Sequence, residues 1–424
     1  MAENTENQKR YPKRIPYGMM NFVNVRERGC YYVDKTRFIE KIEDSNMFFF
    51  FIRPRRFGKS LTMSMLQHYY DVNDADKFDM LYKGLYIGDH PTPEHNKYLV
   101  IILNFSIVDA SLDSYQQGLD DHCNIRFCSF CDRYSRLLPP ETKDEMNKRT
   151  GAIKQLDYLC DVCSELGLKI YLFIDEYDHF TNKILAEPGC LDAYRQETHG
   201  TGYLRLFFDS VKTGTYSSIE RVFVTGVSPV TMDDLTSGFN IGTNYTLNYE
   251  FNEMVGFTEN EVRAMLTYYT DFCNLHKYTV DELIEIMKPW YDNYCFAEDA
   301  YGETTMYNSN MVLYFIDNYV GSKGRLPRNM VEENIRVDYN KLRMLIHRDK
   351  EKPYSIIRQL MDKGSVTGEL ITGFPIEKIT EYEYFLSLLY YQGVLTISGR
   401  YHGMTVFTLP NNSMRMILDY LLAD

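Results

Sequence analysis

The sequence predicts an α/β fold in which a parallel sheet carries helices on both faces. Helical patterns at 115–138 and 141–166 are separated by Pro139-Pro140, which breaks the chain between them. Because strands that alternate with helices form parallel sheets, a ligand is expected at the carboxyl ends of the strands. Four apolar runs have the length and composition of strands buried on both faces, and they lie at 47–52, 99–105, 170–174 and 221–225.

The first apolar run is followed by a loop that ends in Gly58-Lys59-Ser60, and a helical pattern begins at once. Strand, loop, GKS and helix is the order of a phosphate-binding loop, the Walker A motif. Lys59 would reach the β and γ phosphates of ATP, and the Ser60 hydroxyl would hold Mg²⁺. A surface turn that happens to spell GKS is the alternative. The residues predicted to bind the nucleotide are Arg53, Pro54, Arg55, Arg56, Phe57, Gly58, Lys59, Ser60 and Leu61.

The loop departs from the usual pattern at its first position. The pattern G-x-x-x-x-G-K-[ST] requires glycine five residues before Gly58, where this sequence has Arg53. We therefore expect a loop of different shape. Arg53, Arg55 and Arg56 add three positive charges where phosphates would bind. The alternative is that these arginines serve a neighbouring subunit as arginine fingers.

The second half of the predicted site is the pair Asp175-Glu176, which ends the apolar run at 170–174. An acid at this position can hold Mg²⁺ together with Ser60, and a following glutamate can activate the attacking water, as in a Walker B motif. A surface turn or a helix cap is the alternative. The catalytic residues predicted for ATP hydrolysis are Lys59, Asp175, Glu176 and Ser228.

Ser228 is included because the fourth apolar run leads into Gly226-Val227-Ser228-Pro229. The hydroxyls of Thr225 and Ser228 lie where a sensor of the γ-phosphate is expected. A Gly/Pro strand exit with satisfied hydroxyls explains the same residues equally well. The Asp-Glu pair favours the additional-strand class of P-loop NTPases, which includes the AAA-type ATPases.

Composition sets limits on partners and compartment. The formal charge of −13 argues against an overall basic surface, so nucleic acid would have to bind at a local patch. The N-terminus lacks the apolar core of a signal peptide, and no apolar run has the length of a membrane span, so we expect a cytoplasmic protein. Two CxxC pairs, Cys128/Cys131 and Cys160/Cys163, lie in helical patterns. They are interpreted as core-facing helix positions, with a zinc site as the alternative.

The sequence divides into a polar tail at 1–14, a core domain at 15–245, a helical lid-like subdomain at 246–350 and a C-terminal domain at 351–424. Thr258 and Glu261 form a capping box that predicts a helix. The C-terminal domain ends in a helix, a β-hairpin and a last helix, the order of a winged helix. Its tip residues Arg400, Tyr401 and His402 would contact DNA or a partner protein, and a hairpin that only packs is the alternative.

Several blocks of the sequence resemble a known protein family, the predicted AAA-ATPase-like family of anaerobic bacteria. The resemblance covers roughly 12–230, and the arginine in place of the first glycine is typical of that family. It implies an AAA-like P-loop fold that binds ATP. Members often carry a C-terminal nuclease domain of the restriction-endonuclease type, whereas no such block follows residue 410 here. The protein either lacks the nuclease or is represented by a truncated chain. The matching blocks are 32–36, 53–60, 174–178 and 225–229.

The leading hypothesis is therefore an ATPase that uses Mg²⁺. A nucleotide-gated switch or scaffold with little turnover, which regulates a partner or nuclease, is the second hypothesis. A component of DNA processing or defence is the third, and a homo-oligomer is compatible with each of them. The biological substrate does not follow from the residues.

Overall fold

The computed structural model describes residues 11–108, 115–179, 202–230, 241–348 and 352–423. The strands are β1 (Phe48–Ile52), β2 (Leu99–Asn104), β3 (Ile170–Asp175), β4 (Ile219–Gly226), β5 (Thr243–Asn244), β6 (Ser365–Gly368), β7 (Thr396–Tyr401) and β8 (Met404–Thr408). The described helices of the first half are α1 (Phe22–Glu27), α2 (Phe38–Glu43), α3 (Lys59–Tyr70), α4 (Phe78–Tyr82), α5 (Tyr86–Asp89), α6 (Tyr115–Arg133), α7 (Thr142–Asn147), α8 (Ala152–Glu165) and α9 (Tyr203–Gly214). Those of the second half are α10 (Glu259–Phe272), α11 (Val280–Tyr291), α12 (Ser309–Gly321), α13 (Asn340–Arg348), α14 (Lys352–Lys363), α15 (Tyr382–Tyr391) and α16 (Asn412–Leu422).

Strands β1 to β5 form one parallel sheet in the order β2-β3-β4-β1-β5, which confirms the predicted fold class. Strand β1 consists almost entirely of phenylalanine and is buried along most of its length because it lies between β4 and β5. The Phe49 ring stacks on Tyr245 and on Phe223, with centroids 4.4 and 5.4 Å away. Helix α3 packs on β2 and β3, and its first turn lies beside the carboxyl end of β3, where Ser60 is hydrogen-bonded to Asp175.

Two predicted helices have different boundaries in the structure. The sequence also predicts a helix that starts near Asp34, with the Asp34 side chain as its cap. In the structure this helix, α2, begins at Phe38, because the Asp34 carboxylate accepts hydrogen bonds from the backbone N–H groups of Thr36 and Tyr86, at 2.8 and 2.7 Å. The pattern at 141–166 forms α7 and α8 rather than one helix. Gly151, directly before α8, has φ +93°, a non-helical conformation that favours glycine and separates the two helices.

The second half of the chain is mainly helical, as predicted, and contains a small antiparallel sheet in the order β6-β8-β7. The capping box of Thr258 and Glu261 is confirmed at the start of α10. The sequence predicts the two hairpin strands at 394–398 and 404–409, whereas β7 runs from Thr396 to Tyr401, and β6 is not predicted from the sequence. The charged stretch 321–352, with the sequence GSKGRLPRN, predicts a linker or an exposed loop, whereas in the structure 333–339 forms a 3₁₀ helix with Ile335 and Tyr339 buried.

The paired cysteines lie on α6 and α8, as the helical patterns indicated. Cys131, Cys160 and Cys163 are buried in the core, and Cys128 is half-buried. Burial raises the pKa of the Cys160 and Cys163 thiols to about 12, which disfavours the thiolate that zinc requires. Across the part of the chain that the structure describes, no group of three His, Cys, Asp or Glu side chains is placed to hold a metal ion.

No described helix is both long enough and apolar enough to cross a lipid bilayer.

Candidate functional site

The loop between β1 and α3 turns sharply into the helix. Arg56 has φ +70° and Gly58 has φ +97°, so the chain adopts left-handed conformations at two positions. Gly58 is the residue immediately before α3, whose first backbone N–H groups have no partners within the helix. Such an arrangement favours the binding of an anion at the helix N-terminus.

Lys59 is buried at the base of this loop. Its Nζ donates hydrogen bonds to the backbone carbonyls of Arg53 and Pro54, at 2.8 and 3.0 Å. Burial lowers the pKa of Lys59, while the carboxylates of Glu176 and Asp175 act in the opposite direction. The ammonium group is therefore held inside the curve of the loop by neutral acceptors.

Asp175 and Glu176, at the end of β3, lie beside the start of α3. The Ser60 hydroxyl donates to Asp175 Oδ2 at 3.1 Å, and the Glu176 N–H donates to Asp175 Oδ1 at 2.9 Å. Burial, together with the nearby charge of Glu176, raises the pKa of Asp175 to about 6. Glu176 has φ +54°, an uncommon conformation for glutamate that often marks a functional site. The structure thus brings together the two motifs that the sequence singled out.

A cavity of about 290 Å³ opens between these groups. Its polar end is formed by the loop, the first turn of α3 and Glu176. Its other end is mainly apolar and is formed by the N-terminal segment before β1 and by the helical region after β5. The residues of this apolar end include Met19, Met20, Tyr31, Tyr32, Val33, Met254, Val255, Phe257, Met265 and Leu313.

One charged pair borders this apolar end. Lys35 Nζ lies 2.7 Å from Glu261 Oε2, and the Lys35 side chain is almost fully buried. Burial lowers the pKa of Lys35, which the Glu261 carboxylate opposes. Glu261 also completes the capping box of α10, so this pair ties the N-terminal segment to the helical region. The sequence marks the segment that contains Lys35 as a candidate for contact with a nucleotide base, but it does not predict the pair with Glu261.

The helical region also contacts the loop directly. The Gly256 N–H donates to the Phe57 carbonyl at 2.9 Å, and the Asn310 N–H and the Ser309 hydroxyl donate to the Arg56 carbonyl at 3.2 Å. Gly256, Ser309 and Asn310 all line the cavity. None of these three residues was predicted to belong to the site. The one local feature that could have indicated a contact there is Gly256, two residues before the capping box of α10.

Arg53 corrects the expectation that three arginines face the phosphates. Its side chain is buried and donates to the backbone carbonyls of Ile52, Thr246 and Phe251. Its guanidinium carbon lies 4.3 and 4.5 Å from the ring centroids of Phe51 and Phe296. Burial lowers the pKa of Arg53 to about 10. Arg53 therefore supports the loop from behind, and it is inaccessible to phosphates and to a neighbouring subunit.

The other loop residues divide into two groups. Phe57, Gly58, Lys59, Ser60 and Leu61 line the cavity, as do Arg55 and Arg56. Pro54 lies on the other side of the loop, where a Cβ on Gly393 would come within 2.8 Å of it.

Arg55 and Arg56 both bond to the segment that follows α12. Arg55 Nη1 donates to the Asp338 carbonyl at 3.0 Å. Arg56 forms ion pairs with Asp338, at 2.6 Å, and with Glu332. Two loop cations are thus held by a part of the chain almost 300 residues further on.

Ser228 does not reach the cavity. Its side chain is fully buried, and its hydroxyl oxygen accepts a hydrogen bond from the Val230 N–H at 3.2 Å. The Thr225 hydroxyl donates to the Phe51 carbonyl at 2.8 Å. Both hydroxyls are therefore satisfied by the backbone at the strand exit, and the expectation that Ser228 senses a γ-phosphate is corrected.

Comparisons with known proteins extend this picture. A family model, AAA-ATPase_like, described as "Predicted AAA-ATPase", matches residues 16–236. The "Uncharacterized protein in vnfD 5'region" of Azotobacter chroococcum mcd 1 is 24% identical over 301 residues, which are 68% of this chain and 50% of that protein. The chain thus spans about half the length of this curated relative.

Two solved structures show more distant similarity. Cdc6p from Pyrobaculum aerophilum has 10% identity and a TM-score of 0.30, with 98% of this chain and 96% of that chain covered. The ORC2 protein of Aeropyrum pernix, solved as ADPNP and ADP complexes, has 11% identity and a TM-score of 0.35, with 91% of each chain covered.

Proposed function

Because the chain belongs to the predicted AAA-ATPase family, whose model matches residues 16–236, we propose that it binds ATP in the cavity beside α3 and hydrolyses it with Mg²⁺. The observation that carries this proposal is that Lys59, Ser60 and Glu176 line one end of a single cavity, where the Ser60 hydroxyl is hydrogen-bonded to the buried carboxylate of Asp175. We place the reaction in the cytoplasm, where ATP is available.

The loop and the helix N-terminus would bind the phosphates. The backbone N–H groups at the start of α3 offer donors to phosphate oxygens, and Lys59 supplies a positive charge that is held beside them. The apolar end of the cavity, with Tyr31, Tyr32 and Met265, would receive the base.

Mg²⁺ fits the donors at the phosphate end. The Ser60 hydroxyl and the Asp175 carboxylate are hard oxygen donors of the kind that Mg²⁺ prefers, and they lie 3.1 Å apart. A bound Mg²⁺ would neutralise phosphate charge. Glu176 lines the cavity next to them and would orient the attacking water and accept its proton.

Binding is tested with ATP and Lys59→Met, with Lys41→Met as the control. Lys41 lies on the exposed side of α2 and does not line the cavity. We expect the wild-type protein and the control to bind ATP and the Lys59 variant to lose at least about 100-fold in affinity. Unchanged affinity of the Lys59 variant would contradict the assignment of the loop.

A nucleotide-gated switch with little turnover is a second candidate, and one observation favours it. Arg55 and Arg56 connect the loop to Asp338 and Glu332, so the state of the loop and the position of that segment are physically linked. A switch would bind ATP tightly and release phosphate at a negligible rate until a partner is added, whereas an ATPase would turn over alone.

We also propose that the tip of the C-terminal hairpin, β7 and β8, binds a partner. Arg400 is ion-paired with Glu298, and the adjacent groove also contains Asp299 and Glu369, so the hairpin tip offers little free positive charge. This arrangement favours a protein partner, such as a second copy of the chain, over DNA. Titration with duplex DNA at two salt concentrations distinguishes them, because DNA binding would weaken steeply with salt.

A further inference from the structure

The loop cation Arg56 is held by two carboxylates from the second half of the chain. Its Nε lies 2.6 Å from Asp338 Oδ2, and its Nη1 forms an ion pair with Glu332. All three side chains are largely buried, with exposed fractions of 20% for Arg56, 20% for Glu332 and 24% for Asp338. An ion pair at this depth is screened less by water than a surface pair.

The two carboxylates are carried by packed backbone. They lie at either end of the 3₁₀ helix at 333–339, which buries Ile335 and Tyr339. The Tyr339 hydroxyl donates to the Gln392 carbonyl at 3.2 Å, and the Asp338 carbonyl accepts from Arg55. The position of Glu332 and Asp338 beside the loop is therefore fixed by the core of the C-terminal region.

Arg56 lines the proposed nucleotide cavity two residues before Gly58. A free guanidinium there would attract phosphate oxygens and bind them in a forked geometry. With both carboxylates in place, the group carries one positive and two negative charges. The loop thus presents less positive charge to a polyphosphate than its three arginines indicate.

We propose that Glu332 and Asp338 are positioning residues that withhold Arg56 from the nucleotide and so set the affinity of the site for polyphosphates. This inference rests on the proposed function of the cavity. ATP and the 332–338 segment compete for the same guanidinium, so nucleotide binding and the docking of that segment oppose each other. A change that moves the segment away from the loop tightens ATP binding, and ATP loosens the segment.

The test compares ATP, ADP and AMP binding to the wild-type protein with Glu332→Gln and Asp338→Asn. Each amide keeps the side-chain shape and removes the charge. We expect each variant to bind ATP about fivefold more tightly, ADP by a smaller factor and AMP almost unchanged, because the effect grows with the number of phosphates. Glu332→Asp, which keeps the charge, should remain close to the wild type.

Two further variants test whether the two carboxylates act through Arg56. Glu298→Gln removes a carboxylate of similar exposure, 22%, from an ion pair with Arg400, and should not change ATP affinity. When Arg56 is also changed to glutamine, Glu332→Gln should no longer increase the affinity for ATP, because Glu332 acts through Arg56.

The outcomes separate this inference from the proposed function. If the wild type binds ATP but the Glu332 and Asp338 variants bind it equally or more weakly, the inference fails and the ATP site stands. If Glu332→Gln still increases ATP affinity when Arg56 is absent, or if Glu298→Gln increases it equally, then Glu332 and Asp338 do not act by positioning Arg56. If the wild type binds none of the three nucleotides, both proposals fall.

Discussion

The hydroxyl of Ser60 donates a hydrogen bond of 3.1 Å to the carboxylate of Asp175, which lies 115 residues further along the chain. This bond joins the first turn of α3 to the end of β3. Ser60 and Glu176 line the polar end of one cavity, and the bond holds the buried Asp175 carboxylate next to them.

Glu176→Gln should abolish ATP hydrolysis while leaving ATP binding intact. Glutamine keeps the size of the side chain but cannot accept the proton of the attacking water, so we expect the rate of phosphate release to fall at least about 100-fold. Phosphate release and ATP affinity are measured on the same preparation. Glu220→Gln is the matched control, because Glu220 pairs with Lys169 at the opposite end of the sheet. Equal rates in the wild type and the Glu176 variant would defeat the assignment.

Asp175→Asn should stabilise the protein near neutral pH. The pKa of Asp175 is raised from 3.8 to about 6, so the folded state holds the proton more tightly than the unfolded state. The stabilisation that the protonated Asp175 carboxyl gives the folded state is therefore fully present below about pH 4 and is lost as pH rises through 6. Removing the charge should raise the free energy of unfolding near pH 7 by about 1–3 kcal/mol, with little change near pH 4.

Urea unfolding at both pH values measures this effect. Asp132→Asn, at an exposed ion pair with Lys143, should change stability by less than about 1 kcal/mol. A loss of stability in the Asp175 variant near pH 7 would show that its hydrogen bonds outweigh the cost of its buried charge.

Arg53→Gly restores the glycine of the usual loop pattern and should nevertheless destabilise the protein. The change leaves the carbonyls of Ile52, Thr246 and Phe251 without this donor and removes a guanidinium packed between two rings. We expect a loss of about 3 kcal/mol or more in the free energy of unfolding. Arg415→Gly would be confounded by its helical position, so exposed Arg415→Ala is the control. A neutral effect of Arg53→Gly would mean that the loop can adopt the usual shape without this support.

Gly256→Ala should weaken nucleotide binding as well as stability. Gly256 has φ +80°, and an added Cβ would lie 3.0 Å from both the Phe57 ring and the Tyr307 carbonyl. The expected loss of stability is about 1–3 kcal/mol, and the displaced Phe57 would disturb the loop. Gly302→Ala is a matched control, since Gly302 has φ +85° and open space around it. If the two variants have equal ATP affinity, the contact between Gly256 and Phe57 does not position the loop.

The sequence carried enough information to predict the parallel sheet and the meeting of Lys59 with Asp175 and Glu176. Both predictions follow from the order of elements along the chain. A strand precedes each motif, and the carboxyl ends of parallel strands lie at one edge of the sheet. The fate of Ser228 could not be predicted, since the same Gly/Pro turn serves a sensor or a simple strand exit. Its bond from the Val230 N–H is visible only in the structure.

The partners of the loop arginines and of Lys35 were also beyond sequence reasoning. Arg53 binds carbonyls nearly 200 residues away, and Lys35 pairs with Glu261 at a separation of 226 residues. A short motif specifies the local turn but contains no information about which distant backbone will pack behind it. For this reason the sequence predicts that all three arginines bind phosphate. In the structure, one is buried behind the loop and the other two bond to the 332–338 segment.

The position of β1 inside the sheet has a consequence for biosynthesis. Its two neighbours in the sheet are β4 and β5, so Phe48 and Phe49 have no strand partner until Val222 and Phe223 of β4 are made, and Thr243 of β5 follows later. A ribosome that has made only the first 200 residues has therefore exposed a run of four phenylalanines with no strand to join. Such a nascent chain is prone to aggregate, and a chaperone that shields this stretch until β4 and β5 emerge would raise the yield of folded protein.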